Sequence, residues 1–467
     1  MKLRGLSVGP IVGETTPTRA RIWGRADTAL LDNLPMRSFG AVRVRTATGP
    51  GEWSRAKLFK MNPNFDMTGV GIVTALQPST EYEYEIGHFF SDGELDDAKF
   101  GDSDWTDASA GSFVTASDDP KAARSIVVGS CRYLLRTFLG SFFDDRGDKT
   151  FRSIYTQIQD GKPVHQLLMV GDQIYADDLN ALNPDKTIDQ FFQRYRDAFS
   201  QPHIRKLMSI VPTYMTLDDH EIEDNWPAHS SEKDLRTLFP VAIHAYQTYQ
   251  LSHSPSIPVQ GNRLVGTPTD LWYTYSDGCT DVFVTDSRTE RLVKPLNPMD
   301  RSMLGPGQLV ALKDWLNDGS GRVKLVVTSV PFFPDIGKDE NADKWSGFPA
   351  QRMEVLEFLE QHQIRPVVFL SGDVHASLSA EIESPTGLRV YSVISSAFFW
   401  PYPHPTAHNF QLEGTINGGE AGAFTLRNVN KVISDDNFTR LEITPDAMVV
   451  QVFERKGRRL SSKTHSF

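Results

Sequence analysis

The sequence lacks several features that would fix its class at once. Among its 467 residues only two are cysteines, Cys131 and Cys279, so a framework of disulfide bonds cannot hold the fold together. No apolar run approaches the roughly 18 to 20 residues of a membrane-spanning helix, so we expect no membrane span. Internal repeats and low-complexity tracts are also absent, which argues against a repeat architecture.

Positive charge is scarce relative to negative charge. Lys and Arg together number 48 and Asp and Glu 59, so the formal net charge is −11. This balance gives no evidence of a nucleic-acid-binding surface or of a surface for anionic membranes. Residues 1–10 contain neither an apolar signal-peptide core nor a twin-arginine pair. We therefore expect a cytoplasmic protein from the chain as it stands, with export of a processed form as the alternative.

The chain is long enough for two domains, since a single hydrophobic core stops growing at about 250 to 300 residues. Residues 1–116 have an all-β texture, and segments 19–23 and 41–45 alternate in side-chain type as half-exposed antiparallel strands do. Segment 76–84, Leu-Gln-Pro-Ser-Thr-Glu-Tyr-Glu-Tyr, resembles the tyrosine corner of fibronectin type III modules, with an ordinary β-hairpin as the alternative. We predict an N-terminal β-sandwich over residues 1–116.

Residues 121–467, which follow a linker at 116–120, are typical of an α/β domain because strand-like runs alternate with helical segments. The predicted helices lie within 191–199, 234–249, 308–315 and 351–362. Further strands are predicted within 281–285, 324–328, 440–443 and 448–453. We expect the last two strands to finish a second sheet, and the basic tail 454–463 to be solvated or to lie over another surface.

Four other strands carry the chemistry. Their apolar runs are continuous, as in strands buried on both faces of a helix-covered sheet, and span 126–128, 167–170, 214–217 and 367–370. Each run is followed directly by candidate metal ligands, in the segments Gly129-Ser130-Cys131, Gly171-Asp172-Gln173-Ile174-Tyr175, Asp218-Asp219-His220-Glu221 and Gly372-Asp373-Val374-His375. Ligands of open α/β sheets bind at the carboxyl ends of the strands. One Gly-Asp pair usually marks only a turn, but four such strand ends predict a binuclear metal site.

The residue types in these segments indicate which metals they would bind. Asp172 offers a carboxylate that can bridge two cations. The phenol of Tyr175 becomes a ligand at neutral pH only for a strong Lewis acid, which favours ferric iron. Cys131 can supply a thiolate to the same metal, because coordination deprotonates a thiol. Taken alone, Cys131 and Tyr175 would be interpreted as buried structural residues, and only their combination with Asp172 and His375 favours a metal site.

A second metal is predicted from segment 218–221, which places three carboxylates around one imidazole. If the segment is buried, these charges need cations to offset them; an exposed acidic turn is the alternative. We assign Asp219 as a ligand of this metal, with Asn225 adding a neutral oxygen. Asp373 and His375 are two residues apart, so both emerge on one face of an extended segment. Asp373 then serves the second metal and His375 the first.

Together these segments resemble the metallophosphoesterase superfamily and, within it, the alkaline phosphatase D (PhoD-like) family. The resemblance covers the chain from about residue 3 to beyond residue 396. It implies a four-layer αββα metallophosphatase domain preceded by a fibronectin type III-like domain. It also implies Fe³⁺ bound by Cys131, Asp172, Tyr175 and His375. It further implies Ca²⁺ near Asp172, Asp219, Asn225 and Asp373, where Mg²⁺, Mn²⁺ or Zn²⁺ could replace calcium.

The resemblance also predicts a function. The expected activity is metal-dependent hydrolysis of small-molecule or lipid phosphoesters. His220 would contact the phosphate or protonate the leaving oxygen. Arg288, in a segment similar to a family strand end with Asp, Thr and Arg, would bind phosphate through its forked donors, with a surface salt bridge as the alternative and Arg132 and Arg291 as further candidates.

Two alternative functions stay open. One is a phosphodiesterase or phospholipase D type of activity, and the other is a metal-dependent binding protein without turnover. Retention of His220 and of the three predicted Asp ligands argues against the binding protein.

Three features fall outside the family pattern. The twin-arginine leader that is common in the family is absent. The aromatic segment 397–404 has no assigned role; it either lines the substrate cleft or packs between the domains, and we favour packing. A histidine that would complete the shell of the second metal is sought among His229, His244 and His253.

Overall fold

The fold is described from a computed structural model. It covers residues 1–28, 30–31, 34–48, 51–91, 100, 103–134, 136–137, 140–141, 146–177, 184–261, 263–268, 270–337 and 343–467. The N-terminal strands are β1 (Val8–Thr15), β2 (Arg19–Arg25), β3 (Leu30–Leu31), β4 (Leu34–Pro35), β5 (Ser38–Thr46), β6 (Lys57–Lys60), β7 (Thr68–Thr74), β8 (Glu81–Phe90) and β9 (Ser109–Val114).

These strands form the predicted β-sandwich. One sheet has the antiparallel order β1-β2-β7 and the other the order β6-β5-β8-β9, while β3 and β4 make a separate short pair. Apolar side chains of the two sheets share one core, in which Ile22 of β2 belongs to the same cluster as Val42 of β5 and Ile86 of β8. Buried and more exposed residues alternate in the first half of β8, so one face of its sheet points inward, whereas β1 is buried along its whole length.

The tyrosine corner predicted from segment 76–84 is present. The backbone N–H of Gln77 donates to the hydroxyl of Tyr82 at 2.9 Å, which ties the turn before β8 to the strand itself. Tyr84, two residues further on, donates instead to the backbone oxygen of Ser209 at 2.9 Å, outside the sandwich. Trp23 likewise donates to the backbone oxygen of Thr248 at 3.0 Å. The sandwich is therefore held against the following part of the chain by buried contacts.

The remaining strands are β10 (Arg124–Gly129), β11 (Arg136–Thr137), β12 (Gly140–Ser141), β13 (Gln166–Val170), β14 (Thr213–Thr216), β15 (Val259–Gln260), β16 (Arg263–Leu264), β17 (Tyr273–Asp277), β18 (Thr280–Val284), β19 (Val323–Val327), β20 (Val367–Ser371), β21 (Leu378–Glu383), β22 (Arg389–Ile394), β23 (Thr415–Asn417), β24 (Ala423–Arg427), β25 (Asn437–Thr444), β26 (Ala447–Glu454) and β27 (Arg459–Ser466). The helices are α1 (Arg146–Gln159), α2 (Ile188–Phe199), α3 (Pro202–Met208), α4 (Glu232–Tyr249), α5 (Pro306–Leu316) and α6 (Pro349–Gln361).

Two large sheets lie face to face between helices. The first has the order β14-β13-β10-β25-β26-β27 and the second the order β17-β18-β19-β20-β22-β21-β24-β23. Val282 and Val284 of β18 share a core with the first sheet and helices α1 to α4, whereas Phe283 between them packs in a separate core with α5 and α6. This alternation along one strand produces four layers, helix, sheet, sheet and helix, as predicted.

Some details differ from the sequence-based expectations. Strands β25 and β26 extend the first sheet beside β10, whereas we expected them to finish a second sheet. The tail 454–463, expected to be solvated or to lie over another surface, runs into the edge strand β27 (Arg459–Ser466), which pairs with β26 and is mostly exposed or partly exposed. Alternating exposed polar side chains on this edge explain its hydrophilic sequence. Helices α1 and α3 were not predicted. No helix in the described ranges is both long and apolar enough to cross a membrane.

Replacing Tyr82 by phenylalanine tests the tyrosine corner. The variant keeps the ring but loses one hydrogen bond to the backbone, so the free energy of unfolding should fall by about 1 kcal/mol. Chemical denaturation of variant and wild type measures the difference. Tyr402→Phe, at an exposed position, is the matched control and should change the free energy by less than about 0.5 kcal/mol. Equal stabilities of Tyr82→Phe and wild type would contradict a stabilising role for the corner.

Candidate metal centre

The four predicted segments meet at one place. Three of them follow β10, β13 and β14, which are neighbours in the first sheet, and β10 and β14 both run parallel to β13. The fourth follows β20 of the second sheet. Because the carboxyl ends of these strands face the same edge of the stacked sheets, residues far apart in sequence come together there.

The first cluster contains the four residues assigned to iron. The Sγ atom of Cys131 lies 3.3 Å from Oδ2 of Asp172. The hydroxyl of Tyr175 lies 3.4 Å from the same oxygen and 3.5 Å from Nε2 of His375. Ser130 and Ser396 place hydroxyls 3.1 Å from the sulfur. A thiol, a carboxylate, a phenol and an imidazole therefore converge, which is a donor set suited to a transition metal.

The second cluster is made of carboxylates and shares Asp172 with the first. Ligand atoms of Asp172, Asp218, Asp219 and Asp373 lie within 4.8 Å of one another, as do those of Asp172, Asp219 and His220. A third group, Cys131, Asp172 and His375, meets the same limit. Asp172 is the one residue that belongs to all three groups, and it is almost fully buried.

The backbone at these positions is unusual. Of the eleven non-glycine residues with positive φ in the described part, five are predicted ligands. They are Cys131 (55°), Asp172 (56°), Asn225 (57°), Asp373 (67°) and His375 (50°). This left-handed conformation costs a non-glycine residue about 1 to 3 kcal/mol and is retained where the surroundings fix it, most often at functional sites. Gly171 also has positive φ, and an added Cβ would lie 2.5 Å from Cβ of Asp218.

Glu221 stabilises two of these loops, although we assigned it no role of its own in the sequence analysis. Its carboxylate accepts hydrogen bonds from the backbone N–H groups of Asp172, Gln173 and Asp218 at 3.1, 2.7 and 2.9 Å. Nε2 of Gln250 donates a further bond at 3.1 Å. The side chain therefore joins the ends of β13 and β14. In the sequence, this role of Glu221 is indicated only by its position as the fourth residue of segment 218–221.

The electrostatics of the cluster call for cations. Burial raises the pKa of Asp172, of the Cys131 thiol and of the Tyr175 phenol well above their ordinary values. Burial lowers the pKa of His375 to about 3, which keeps this imidazole neutral and able to bind a metal. Four carboxylate oxygens of the second cluster are buried without a hydrogen-bond partner, namely Oδ1 of Asp172, Oδ2 of Asp218, Oδ1 of Asp219 and Oδ2 of Asp373, although the last two have a cationic side chain within 3.4 Å. The residues therefore fit a pair of bound metal ions.

His220 stands beside this cluster and is oriented by a residue that the sequence did not single out. Its Nδ1 lies 2.8 Å from Oδ2 of Asp177, and its ring packs on Tyr175 with centroids 4.3 Å apart. Burial by itself would lower the pKa of His220, but the carboxylates of Asp219 and Asp172 raise it well above its ordinary value. An imidazolium that donates from Nε2 is therefore favoured.

The arginines predicted to bind phosphate are deeply buried. Arg288 donates to the carboxylates of Asp218 and Asp343, to the backbone oxygen of Trp226 at 3.2 Å, and approaches Oδ1 of Asp219 at 3.3 Å. The alternative of a surface salt bridge is wrong for this residue, since its side chain is fully buried. Its phosphate-binding role stays a prediction.

The two further arginine candidates are bound elsewhere. Arg132 donates to the backbone oxygen of Ala198 at 2.7 Å. Arg291 donates to the backbone oxygen of Ser287 at 2.7 Å and to Asp343 at 3.2 Å. None of these three side-chain bonds involves a residue of the two ligand clusters, although the backbone N–H of Arg132 donates to the backbone oxygen of Asp172 at 2.9 Å.

The remaining sequence candidates have mixed outcomes. The backbone N–H of Asn225 donates to Oδ2 of Asp219 at 2.6 Å, so Asn225 lies beside the second cluster. His244 lies against the sandwich, with Nε2 2.8 Å from the backbone oxygen of Asn64, and His253 is fully buried. His229 is exposed. Among the described residues, none of these three histidines belongs to a ligand cluster.

The aromatic segment 397–404 lines the site, which corrects our preference for packing between domains. Trp400 stacks on His375 with centroids 3.7 Å apart and planes at 18°. Its ring also approaches Tyr175 at 5.9 Å and Tyr402 at 5.1 Å. Segment 397–404 follows β22, which pairs with β20, so its position depends on a strand pairing that residue types alone do not reveal.

Comparison with known proteins identifies the family. A family model described as PhoD-like phosphatase matches residues 140–406, more than half of the chain. The chain belongs to the PhoD-like phosphatase family. Alkaline phosphatase D of Bacillus subtilis (strain 168) is 26% identical over 217 residues, which cover 42% of this PhoD-like chain and 36% of that protein. The chain thus spans little more than a third of this relative's length.

Solved structures share the fold of the PhoD-like chain. A structure of PhoD superposes with a TM-score of 0.71 at 15% identity, covering 98% of this chain and 92% of that one. A purple acid phosphatase from yellow lupin (Lupinus luteus) seeds gives a TM-score of 0.61 at 13% identity, covering 98% of this chain and 74% of that one. These likenesses confirm the predicted α/β metallophosphatase fold with an N-terminal β-sandwich.

The buried carboxyls of this PhoD-like protein predict a pH dependence of stability in the metal-free state. Burial raises the pKa of Asp218 to about 8 and that of Glu221 to about 7, whereas both carboxyls titrate near 4 in an unfolded chain. Between these values the folded state holds protons that the unfolded state has lost. The free energy of unfolding of metal-free protein should therefore fall as pH rises from 4 towards 8.

Melting temperatures measured from pH 6 to pH 9, with a chelator and with added metals, test this expectation. Metal-loaded protein should show a weaker fall, because cations offset the carboxylate charge. Glu221→Gln removes one titrating group and should flatten the curve of the chelated protein. Identical pH profiles for chelated and loaded wild type would contradict the prediction.

Proposed function

We propose that this protein hydrolyses phosphoesters at a binuclear metal centre. The observation that carries the proposal is the place of Asp172, whose carboxylate atoms belong to each of the three ligand groups. A carboxylate has two oxygens and can contact two cations at once. Asp172 would therefore join two metal sites, one on the side of Cys131 and the other on the side of Asp219.

The donor sets favour different metals at the two sites. Fe³⁺ would be held by Cys131, Asp172, Tyr175 and His375, because phenolate and thiolate ligands suit a strong Lewis acid. Ca²⁺, or Mg²⁺, Mn²⁺ or Zn²⁺ in its place, would be held by Asp172, Asp219, Asn225 and Asp373 through oxygen alone. When bound, such cations polarise phosphoryl oxygens and lower the pKa of a water molecule.

The chain's own residues would orient the substrate and move protons. His220, fixed by Asp177 beside the carboxylate cluster, would donate a proton from Nε2 to a phosphoryl or leaving oxygen. Arg288 would keep Asp218 and Asp219 in place from behind the cluster. At this position Arg288 is better placed to hold the carboxylates of the cluster than to contact phosphate.

The substrate class within phosphoesters is open between two proposals. Small-molecule monoesters are the first, and diesters, including lipid phosphodiesters cleaved by a phospholipase D type of reaction, are the second. A metal-dependent binding protein is the alternative outside this class. Against it stands His220, whose ring is oriented by Asp177 although binding alone would not need an oriented proton donor.

A panel of p-nitrophenyl mono- and diesters, assayed with and without added calcium, separates these possibilities. Wild type should hydrolyse at least one ester in proportion to its metal content. Asp172→Asn keeps the size of the side chain but removes its charge, so it should lose both metals and the activity together. If wild type with full metal occupancy cleaves none of these esters and no natural phosphoester, a metal-dependent binding protein becomes the better interpretation.

The assignment of ferric iron predicts a coloured protein. A phenolate of Tyr175 bound to Fe³⁺ absorbs visible light by charge transfer, and Tyr175→Phe should remove this band. Absorption spectra recorded beside iron analysis check that the loss of colour is not a loss of iron. The assignment fails if colourless wild type is fully active with zinc or magnesium alone.

The role of His220 predicts a loss of turnover without a loss of metal. His220→Ala should lower kcat on an activated phosphoester by roughly 10²- to 10⁴-fold, the range for a missing general acid. Metal analysis of the purified variant should match wild type. His229→Ala, at an exposed histidine, is the control and should leave kcat unchanged. Loss of one metal per chain from His220→Ala would make His220 a ligand instead.

A further inference from the structure

We infer that the aromatic side chains beside the metal centre select phosphoesters whose alcohol carries a flat ring. This inference rests on the proposed function and narrows its substrate class. The side chains concerned are Tyr175, Trp400 and Tyr402, which we call the aromatic wall. Trp400 lies in the middle, 5.9 Å from Tyr175 and 5.1 Å from Tyr402 between ring centroids.

The aromatic wall runs from the buried ligands to solvent. Tyr175 is 1% exposed, Trp400 is half-buried, and Tyr402 is 46% exposed. Within the described ranges, Tyr402 is the only aromatic side chain with this degree of exposure. An ester with its phosphoryl group at the carboxylate cluster must direct its alcohol outward, and the wall borders this path. The exposed ring of Tyr402 is therefore available for contact with that alcohol.

The backbone of the aromatic wall is fixed before any ligand binds. The N–H of Trp400 donates to Oδ1 of Asp436 at 3.0 Å. Nδ1 of His404 lies 2.7 Å from the backbone oxygen of His375. On the inner side, the N–H of Phe398 donates to the backbone oxygen of Ser130 at 2.8 Å. A ring held in this way loses little freedom on binding, so stacking against it is not offset by ordering of the segment.

Charge in the cleft beside the outer part of the wall does not offer a competing basis for selection. This cleft includes Asp436, which accepts the hydrogen bond from Trp400, and is lined by three acidic and three basic residues: Asp435, Asp436, Glu454, Arg455, Lys456 and Arg458. Because the signs balance, neither an anionic nor a cationic alcohol is favoured there. Aromatic rings attract other flat rings in offset or edge-to-face arrangements whatever their substituents, which makes a ring the better match.

Benzyl phosphate and butyl phosphate give a matched test. Both are monoesters of apolar primary alcohols, so their leaving groups are chemically alike and only one carries a ring. The quantity measured is the ratio of kcat/KM for benzyl phosphate to kcat/KM for butyl phosphate, at equal metal content. Tyr402→Ala should lower this ratio about tenfold, the size of effect produced by loss of one stacking ring. Tyr402→Phe, which keeps the ring, should retain the ratio of wild type.

A control variant and a binding measurement complete the experiment. Tyr155→Ala, at a ring of helix α1 that contacts Lys206 of α3, should leave the ratio unchanged. Affinities of metal-loaded protein for benzylphosphonate and butylphosphonate, which cannot be hydrolysed at the C–P bond, should show the same preference for the ring and the same loss in Tyr402→Ala.

The outcomes separate the two proposals. If wild type hydrolyses both esters but Tyr402→Ala leaves the ratio unchanged, the aromatic selection is wrong and the proposed function stands. If wild type hydrolyses no phosphoester, the proposed function fails, and the phosphonate affinities still decide the aromatic selection. Equal affinities of wild type for the two phosphonates would overturn it, and a preference for the benzyl compound lost in Tyr402→Ala would support it.

Discussion

Buried negative charge is the constraint on which the site depends. Asp172, Asp218, Asp219 and Asp373 are brought within a few ångströms where the two sheets meet, in surroundings that exclude most water. Like charges repel strongly in such a medium. Arg288 offsets part of the charge from the inner side and Lys344, 3.4 Å from Asp373, another part. The carboxylate oxygens that accept no hydrogen bond are the ones that bound cations would stabilise most.

Rigid strand ends make that arrangement possible. The loops after β10, β13 and β20 each contain left-handed ligand residues close to the strand end, which carry an energetic cost. The hydrogen bonds of Glu221 to the loops after β13 and β14 help to hold that conformation. The carboxylate that stabilises the loops is thus distinct from the carboxylates available to metals. A change at Glu221 would disturb ligand geometry without removing a ligand.

The sequence predicted much of the site because its signals were local. Continuous apolar runs ending in Asp, His, Tyr or Cys identify both the strands and the side chains at their ends. What it could not supply were relations between segments distant in the chain. Asp177 gains its role only from the position of His220, and Trp400 only from the pairing of β22 with β20. Helix α3 has seven residues and begins at a proline, too short to show a helical period.

The pairing of β10 with β25 has a consequence for how the protein is made. Strand β10 leads to Cys131 and lies between β13 and β25, and a hydrogen bond joins Ser125 to Glu442 across 317 positions of sequence. Contacts so distant are costly to close and form late in folding. During synthesis, β10 must therefore wait as an unpaired edge until residues 437–444 have emerged. An exposed edge of this kind can pair with another chain, so the strand beside the metal ligands is open to misassembly until the sheet is complete.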